Sequence, residues 1–237
     1  MILMDLHTHS NYSDGKNSIE QMVTTAIELG YKAIAITDHV WITSDWIDDF
    51  SRHINQVKEA FKNEILVFSG LEAKVINLQG DIDASANVES KVNFLLGSIH
   101  RIPFSGGYYS VSKGILDSKE EIFKKWLTSF ENLLWNPRVT IIAHPLSELN
   151  RFNIQLSKKQ KKEIAELMIA SGKVVEINVK HNAPDPDIIE LLGRSRTKVV
   201  VSSDSHSVAD LKMFYPHLKT MYSLPLNFIT LSELQNI

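Results

Sequence analysis

Near its start the chain carries two histidines separated by one residue, His7-Thr8-His9, and comparable residues recur in one setting down its length. At or just past successive short apolar runs stand His7 and His9, Asp38 and His39, Glu72, His100, His144, then Asp204 and His206. Side chains two apart on a strand point the same way, so His7 and His9 can share one cation, as can Asp204 and His206. A carboxylate at Glu72 can bridge two cations and offset their mutual repulsion. Asp14, in the turn Ser13-Asp14-Gly15, can add an oxygen from a loop. Each piece alone has a plainer reading as a turn, a helix cap or an exposed acid. Together they place six of the nine histidines in equivalent slots, which scattered histidines would not occupy. The chemistry of such a set is metal-dependent hydrolysis. His53, His181 and His217 fall outside the pattern and are read as structural.

The runs that must position these residues are Ile2–Leu6, Ala33–Thr37, Ile65–Ser69, Phe94–Ser98, Val139–Ala143, Val174–Asn178 and Val199–Ser203. They are rich in Val and Ile and nearly free of charge, as strands covered on both faces are. Amphipathic stretches separate them. Ser18 with Gln21 opens a helix that ends at Gly30, Ser118 with Glu121 opens one running to Leu134, and Ser157 with Gln160 opens one closed by Gly172. Strands alternating with helices give a parallel sheet with right-handed crossovers, and seven strands suit a barrel. Ligands in such folds bind at the carboxyl ends of the strands, where the candidate residues lie.

Composition narrows the partners. At 237 residues, 43% hydrophobic and 22% charged, the chain reads as a single globular domain over 1–237. A net charge of −3 gives no field for holding a polyanion, so a small substrate fits better than nucleic acid. Cys is absent, which leaves nitrogen and oxygen ligands that accept zinc, manganese or iron. The start has neither a signal-peptide pattern nor a membrane span, so a cytoplasmic location is expected. Oligomeric state is not readable.

The motifs D-L-H-T-H-S-N-Y-S-D-G at Asp5–Gly15, I-T-D-H at Ile36–His39, G-L-E at Gly70–Glu72, G-S-I-H at Gly97–His100, A-H-P at Ala143–Pro145 and S-S-D-S-H at Ser202–His206 carry a resemblance. The chain resembles the PHP family, the polymerase and histidinol phosphatase superfamily of metal-dependent phosphoesterases. The resemblance implies a distorted (β/α)7 TIM-like barrel holding two or three divalent ions. By motif position, one would lie on His7, His9, Glu72 and Asp204, a second on Glu72, His100 and His144, and a third on Asp14, His39 and His206. The opening segment is similar to PHP domains joined to family X DNA polymerases, and a chain of this length is similar to the family's small phosphatases.

The implied reaction is hydrolysis of a small phosphate monoester, as by a histidinol phosphatase, with a water between two cations as nucleophile. Its catalytic set would be His7, His9, Glu72, His100, His144, Asp204 and His206. Arg101, directly after His100, is the nearest candidate for substrate phosphate, ahead of Lys180 and Arg194. Asp5 and Asp38 are expected to accept ring N–H bonds from neighbouring histidines. Gly106-Gly107-Tyr108-Tyr109 reads as a lid or a simple turn. The alternatives are a phosphodiesterase or 3′-5′ exonuclease, an amide hydrolase on a related barrel, and a non-catalytic domain stabilised by its metals.

Overall fold

The computed structural model describes residues 2–236. In chain order its elements are β1 (Met4–Thr8), α1 (Ile19–Glu28), β2 (Ala33–Ile36), β3 (His39–Val40), α2 (Ile47–Phe61), β4 (Leu66–Lys74), β5 (Phe94–Ser98), β6 (Pro103–Phe104), β7 (Gly107–Tyr108), α3 (Lys119–Leu134), β8 (Ile141–Ile142), α4 (Ser147–Arg151), α5 (Lys158–Ser171), β9 (Val174–Asn178), α6 (Pro186–Gly193), β10 (Val199–Ser202), α7 (Val208–Met221) and α8 (Leu231–Gln235).

Seven strands pair in parallel in the order β1-β2-β4-β5-β8-β9-β10. First and last then meet through a parallel bridge between Thr8 and Ser205, with the His9 amide donating to the Ser205 carbonyl at 2.8 Å. The result is a near-closed barrel of seven parallel strands. The short β3 continues past the end of β2 and pairs with β4, setting His39 opposite Glu72. Strands β1, β2, β5, β9 and β10 are buried at every residue, as expected for strands covered on both faces.

The expected helix starts are present. The hydroxyls of Ser18, Ser118 and Ser157 accept from the amides of Gln21, Glu121 and Gln160, and Gly172 ends its helix at φ +69°. Such caps satisfy amides that have no partner inside the helix. On α3, Trp126 is fully buried and stacks on Phe130 at 4.7 Å between ring centres. Truncating a tryptophan so placed costs about 3–5 kcal/mol.

Strand limits differ from expectation in ways that bear on the site. β1 starts and ends two residues later than the apolar run, so His7 lies within it. β4 continues through Gly70 to Lys74, which puts Glu72 inside a strand rather than beyond its end. The expected run stops at Ser69, just before Gly70. In the barrel a Cβ there would approach Phe94 and Thr37 within 2.9 Å, so its missing side chain serves strand packing. The Val139–Ala143 run contributes only Ile141–Ile142 as ladder. The 106–109 segment belongs to an antiparallel hairpin, β6–β7, with Gly106 at φ +96°.

Candidate metal centre

All nine residues expected to bind cations come together at the carboxyl-terminal mouth of the barrel, in overlapping groups whose donor atoms lie within 4.8 Å of one another. Glu72 is at the middle. Its Oε1 is 2.8 Å from His144 Nε2 and 2.9 Å from His100 Nε2, while its Oε2 is 2.8 Å from His39 Nδ1 and 3.4 Å from His7 Nε2. Asp204 Oδ1 is 3.0 Å from His9 Nε2 and 3.7 Å from His7 Nε2. Asp14 stands at the rim, 3.3 Å from His206 Nε2 and 3.7 Å from His39 Nε2.

The donor atoms themselves test whether cations fit. His7 Nε2, both ring nitrogens of His9, Glu72 Oε2 and Asp204 Oδ1 are buried and make no hydrogen bond. Buried polar atoms are normally paired, yet His7 Nε2 and His9 Nε2 each lie within 3.7 Å of both Glu72 Oε2 and Asp204 Oδ1. His100 Nε2 and His144 Nε2 face each other at 3.3 Å, an arrangement in which at most one can donate. Imidazole and carboxylate lone pairs converging without protons to share are the donor set of a divalent cation. The residues fit.

Two of them are held in uncommon backbone conformations. His144 sits at φ 26° and Asp204 at φ 52°, both in the left-handed region that a residue with a Cβ rarely adopts. Strain of this kind concentrates at functional sites, where surrounding structure enforces it.

The supporting contacts depart from expectation. Asp5 accepts from the amide and hydroxyl of Ser203 and from the His7 amide, and meets no imidazole ring. Asp38 likewise accepts from the amides and hydroxyls of Ser10 and Ser13. Both acids therefore shape backbone. Asp5 ties β1 to the segment carrying Asp204, and Asp38 folds the loop that bears Asp14. Gly15 completes that loop, since a Cβ there would fall 2.6 Å from the His9 carbonyl oxygen.

Ring orientation is handled by residues the sequence did not reveal. Glu176, fully buried on β9, accepts from His7 Nδ1 at 2.9 Å, so His7 presents Nε2 to the cluster. Its other oxygen accepts from the His144 amide. Ser147 Oγ is 2.9 Å from His144 Nδ1 and orients that ring the same way. His181, expected to be structural, has Nε2 2.8 Å from Asp204 Oδ2, and its ring lies tilted against that of His144 with centres 4.8 Å apart. Lys180 donates to the Asp204 carbonyl at 2.9 Å and to Oδ2 at 3.1 Å.

Electrostatics follow from burial set against close charge. Burial alone would lower His7, but Glu176, Glu72 and Asp204 outweigh it and hold the imidazole well above its ordinary range. Glu72 is driven well below the usual carboxylate range because His100, His7 and His39 overcome its burial. Burial wins at His9, which falls to about 3, and at Asp5, which rises to about 7. The ionised carboxylates of Glu72, Glu176 and Asp204 make a negative pocket that draws positive charge, whether a proton on His7 or a cation in its place.

Arg101 lines a recess of about 170 Å³ with His39, Trp41, Glu72, Lys74 and His100, and its guanidinium lies over the Tyr108 ring at 5.9 Å. Arg194 does not reach the mouth. It caps the end of α6, in the connection that leads into β10, and pairs with Glu190. His53 is bonded to Glu20 and Tyr12 away from the cluster, as expected of a structural histidine.

With this geometry in view, known proteins are informative. The chain is 26% identical over 215 residues to the DNA polymerase/3'-5' exonuclease PolX of Bacillus subtilis, covering 86% of this chain but only 34% of that protein. It is 26% identical over 212 residues to a probable phosphatase of Caldicellulosiruptor bescii, covering 88% of this chain and 81% of that one. The histidinol phosphate phosphatase of Lactococcus lactis, solved with zinc, L-histidinol and phosphate, superposes at a TM-score of 0.65 with 20% identity, over 92% of this chain and 94% of that one. The family model of the PHP domain matches residues 5–180. The chain belongs to the PHP domain family of metal-dependent phosphoesterases.

Proposed function

We propose that the protein hydrolyses a small-molecule phosphate monoester, using two or three divalent cations held by His7, His9, Asp14, His39, Glu72, His100, His144, Asp204 and His206. The observation that carries this reading is the set of unpaired donor atoms around Glu72, the central carboxylate of the cluster. When bound, the cations would supply positive charge against the phosphoryl oxygens and lower the pKa of a coordinated water. Zinc, manganese and iron all suit this nitrogen and oxygen set.

The chain's own residues do the rest. Glu176 fixes the tautomer of His7, and Ser147 orients the ring of His144, before substrate arrives. Lys180, beside Asp204, and Arg101, in the recess with His39, Glu72 and His100, bring positive charge to the cluster, where the phosphoryl oxygens would sit. His181, half-exposed beside Asp204, can carry a proton on Nε2 within reach of a departing oxygen. A net charge of −3 and a recess of about 170 Å³ support a small monoester over a polynucleotide. Likeness to a named 3'-5' exonuclease favours a phosphodiester as the second reading.

The test joins elemental analysis to turnover of matched phosphate monoesters and diesters, with wild type, His7→Ala and Asp204→Ala compared. Metal at two or more ions per chain and monoester turnover lost in both variants are expected. Undiminished activity in both would sink the proposed mechanism.

A further inference from the structure

Beside the metal recess lies a second and larger cavity of about 280 Å³, walled by the loop between β5 and α3 on one side and by α4 on the other. Arg101 lines both spaces, so they adjoin at that residue. The larger one is cationic. Arg101, Lys113 and Arg151 line it, and Glu148 is the one acid that does. Glu148 is buried and stands 3.7 Å from Arg151 Nη1, so its charge is already answered. Among the described residues no carboxylate lies within ion-pair distance of Arg101 or Lys113. Asp117, on the same loop, accepts from the Tyr109 hydroxyl at 2.8 Å.

The backbone that carries Lys113 and the side chain of Arg101 are held in place. Lys113 rides a tight turn closed by reciprocal bonds between the Ser110 and Ile115 backbones, at 2.9 and 3.0 Å. Arg101 rests on the face of Tyr108, which anchors its own hydroxyl to the Ile76 carbonyl at 3.2 Å. Three positive groups around one open cavity, two of them without an acid, keep an electrostatic demand that an anion satisfies and an amine worsens. The cavity admits a small-molecule group.

Resting on the phosphatase reading, we propose that this cavity receives the leaving-group portion of the substrate and selects monoesters that carry a second anionic group there, a carboxylate or a second phosphate. A substrate whose leaving group bears an amine, as histidinol does, is disfavoured.

A series of alkyl phosphates of graded chain length, ending in a methyl, a carboxylate, a phosphate or an amine, tests this with metal-loaded protein. Expected is a kcat/KM about tenfold or more higher for anionic ends than for methyl, with the amine lowest. Carboxylate and phosphate arms tell the two anions apart. In Lys113→Gln/Arg151→Gln the anion-to-methyl ratio is expected to collapse toward unity. Equal turnover of all ends, or preference for the amine, would overturn the proposal. Should no member of the series turn over, the phosphatase reading fails separately, and binding decides. Inorganic phosphate titrated into chelator-treated protein, followed by isothermal titration calorimetry, should bind wild type about tenfold more tightly than the double variant, and equal affinities would refute the cavity's role.

Discussion

At the scale of single residues the site depends on an acid that touches no substrate. Glu176 gives His7 its tautomer and at the same time binds the His144 amide, where the backbone is held at φ 26°. Glu176→Gln keeps the size and removes the charge, so the amide can offer the imidazole a donor where it needs an acceptor. We expect kcat/KM to fall about 10–100-fold with metal content reduced, while the fold, followed by circular dichroism, is kept. Normal activity with full metal content would show that His7 needs no such partner. Nothing local in the sequence marks Glu176, because it is one charged residue in a Val-Ile run. Its partner is 169 residues away in the chain. His7, His9, His39, His100, His144, Asp204 and His206 were legible because each lies at or near an apolar run. His181 was not, since two turn residues, Val179 and Lys180, separate it from the end of β9 and break the pattern. Asp5 and Asp38 were legible as important acids but not in role, because the serines they bond, Ser203 for Asp5 and Ser10 and Ser13 for Asp38, are brought to them only by folding.

At the scale of elements, the strand order and the capped helices could be read from alternation and from serine starts. Helices α2, α6 and α7 were harder. α2 begins at Trp46 without a side-chain cap, and α7 carries Pro216 within it, so each lacks a boundary signal or contradicts one. α6 does have Asp185 as cap and Pro186 in its first turn, a start that is short and easily taken for a loop. The last element, α8, shows how the terminal segment is fastened to β10. Glu233 closes a capping box with Thr230 and pairs with Lys198 at 2.9 Å, one residue before β10. The hydrogen bond from Lys198 and those from Thr230 hold its carboxyl down at about 2. A folded-state pKa below the ordinary carboxylate value contributes stability above that ordinary value and loses it as pH falls toward the folded one. Glu233→Gln keeps the cap and removes the charge. Its deficit in urea unfolding should be full near neutral pH and shrink steadily as the pH falls from about 4.5 toward about 2. A deficit that does not change with pH would mean that the ion pair contributes nothing.

At the scale of the whole molecule, metal and fold are linked. Converging carboxylates such as Glu72 and Asp204 are costly to bury without positive partners, so cations that bind only the folded barrel raise its stability. With free metal at a hundred times Kd the gain is about 2.7 kcal/mol, or about 5–10 °C in Tm for a chain of this size. Chelation should lower Tm by that amount, and restoring the metal should return it. An unchanged Tm would show that the donor set binds cations too weakly to matter. No helix among the described residues is long and apolar enough to cross a membrane.

The bridge between Thr8 and Ser205 has a further meaning when the chain is considered as something that must fold. Asp5 and Ser203, bonded across the same seam, are 198 residues apart, close to the greatest separation this chain allows. Joining them carries nearly the full loop-closure entropy of the polypeptide. The residues flanking that junction, His7 and His9 on one side and Asp204 and His206 on the other, are cluster members. Opening the junction therefore separates these members of the cluster, and cations held there as proposed would act as a clasp on the contact that chain entropy most strongly pulls apart.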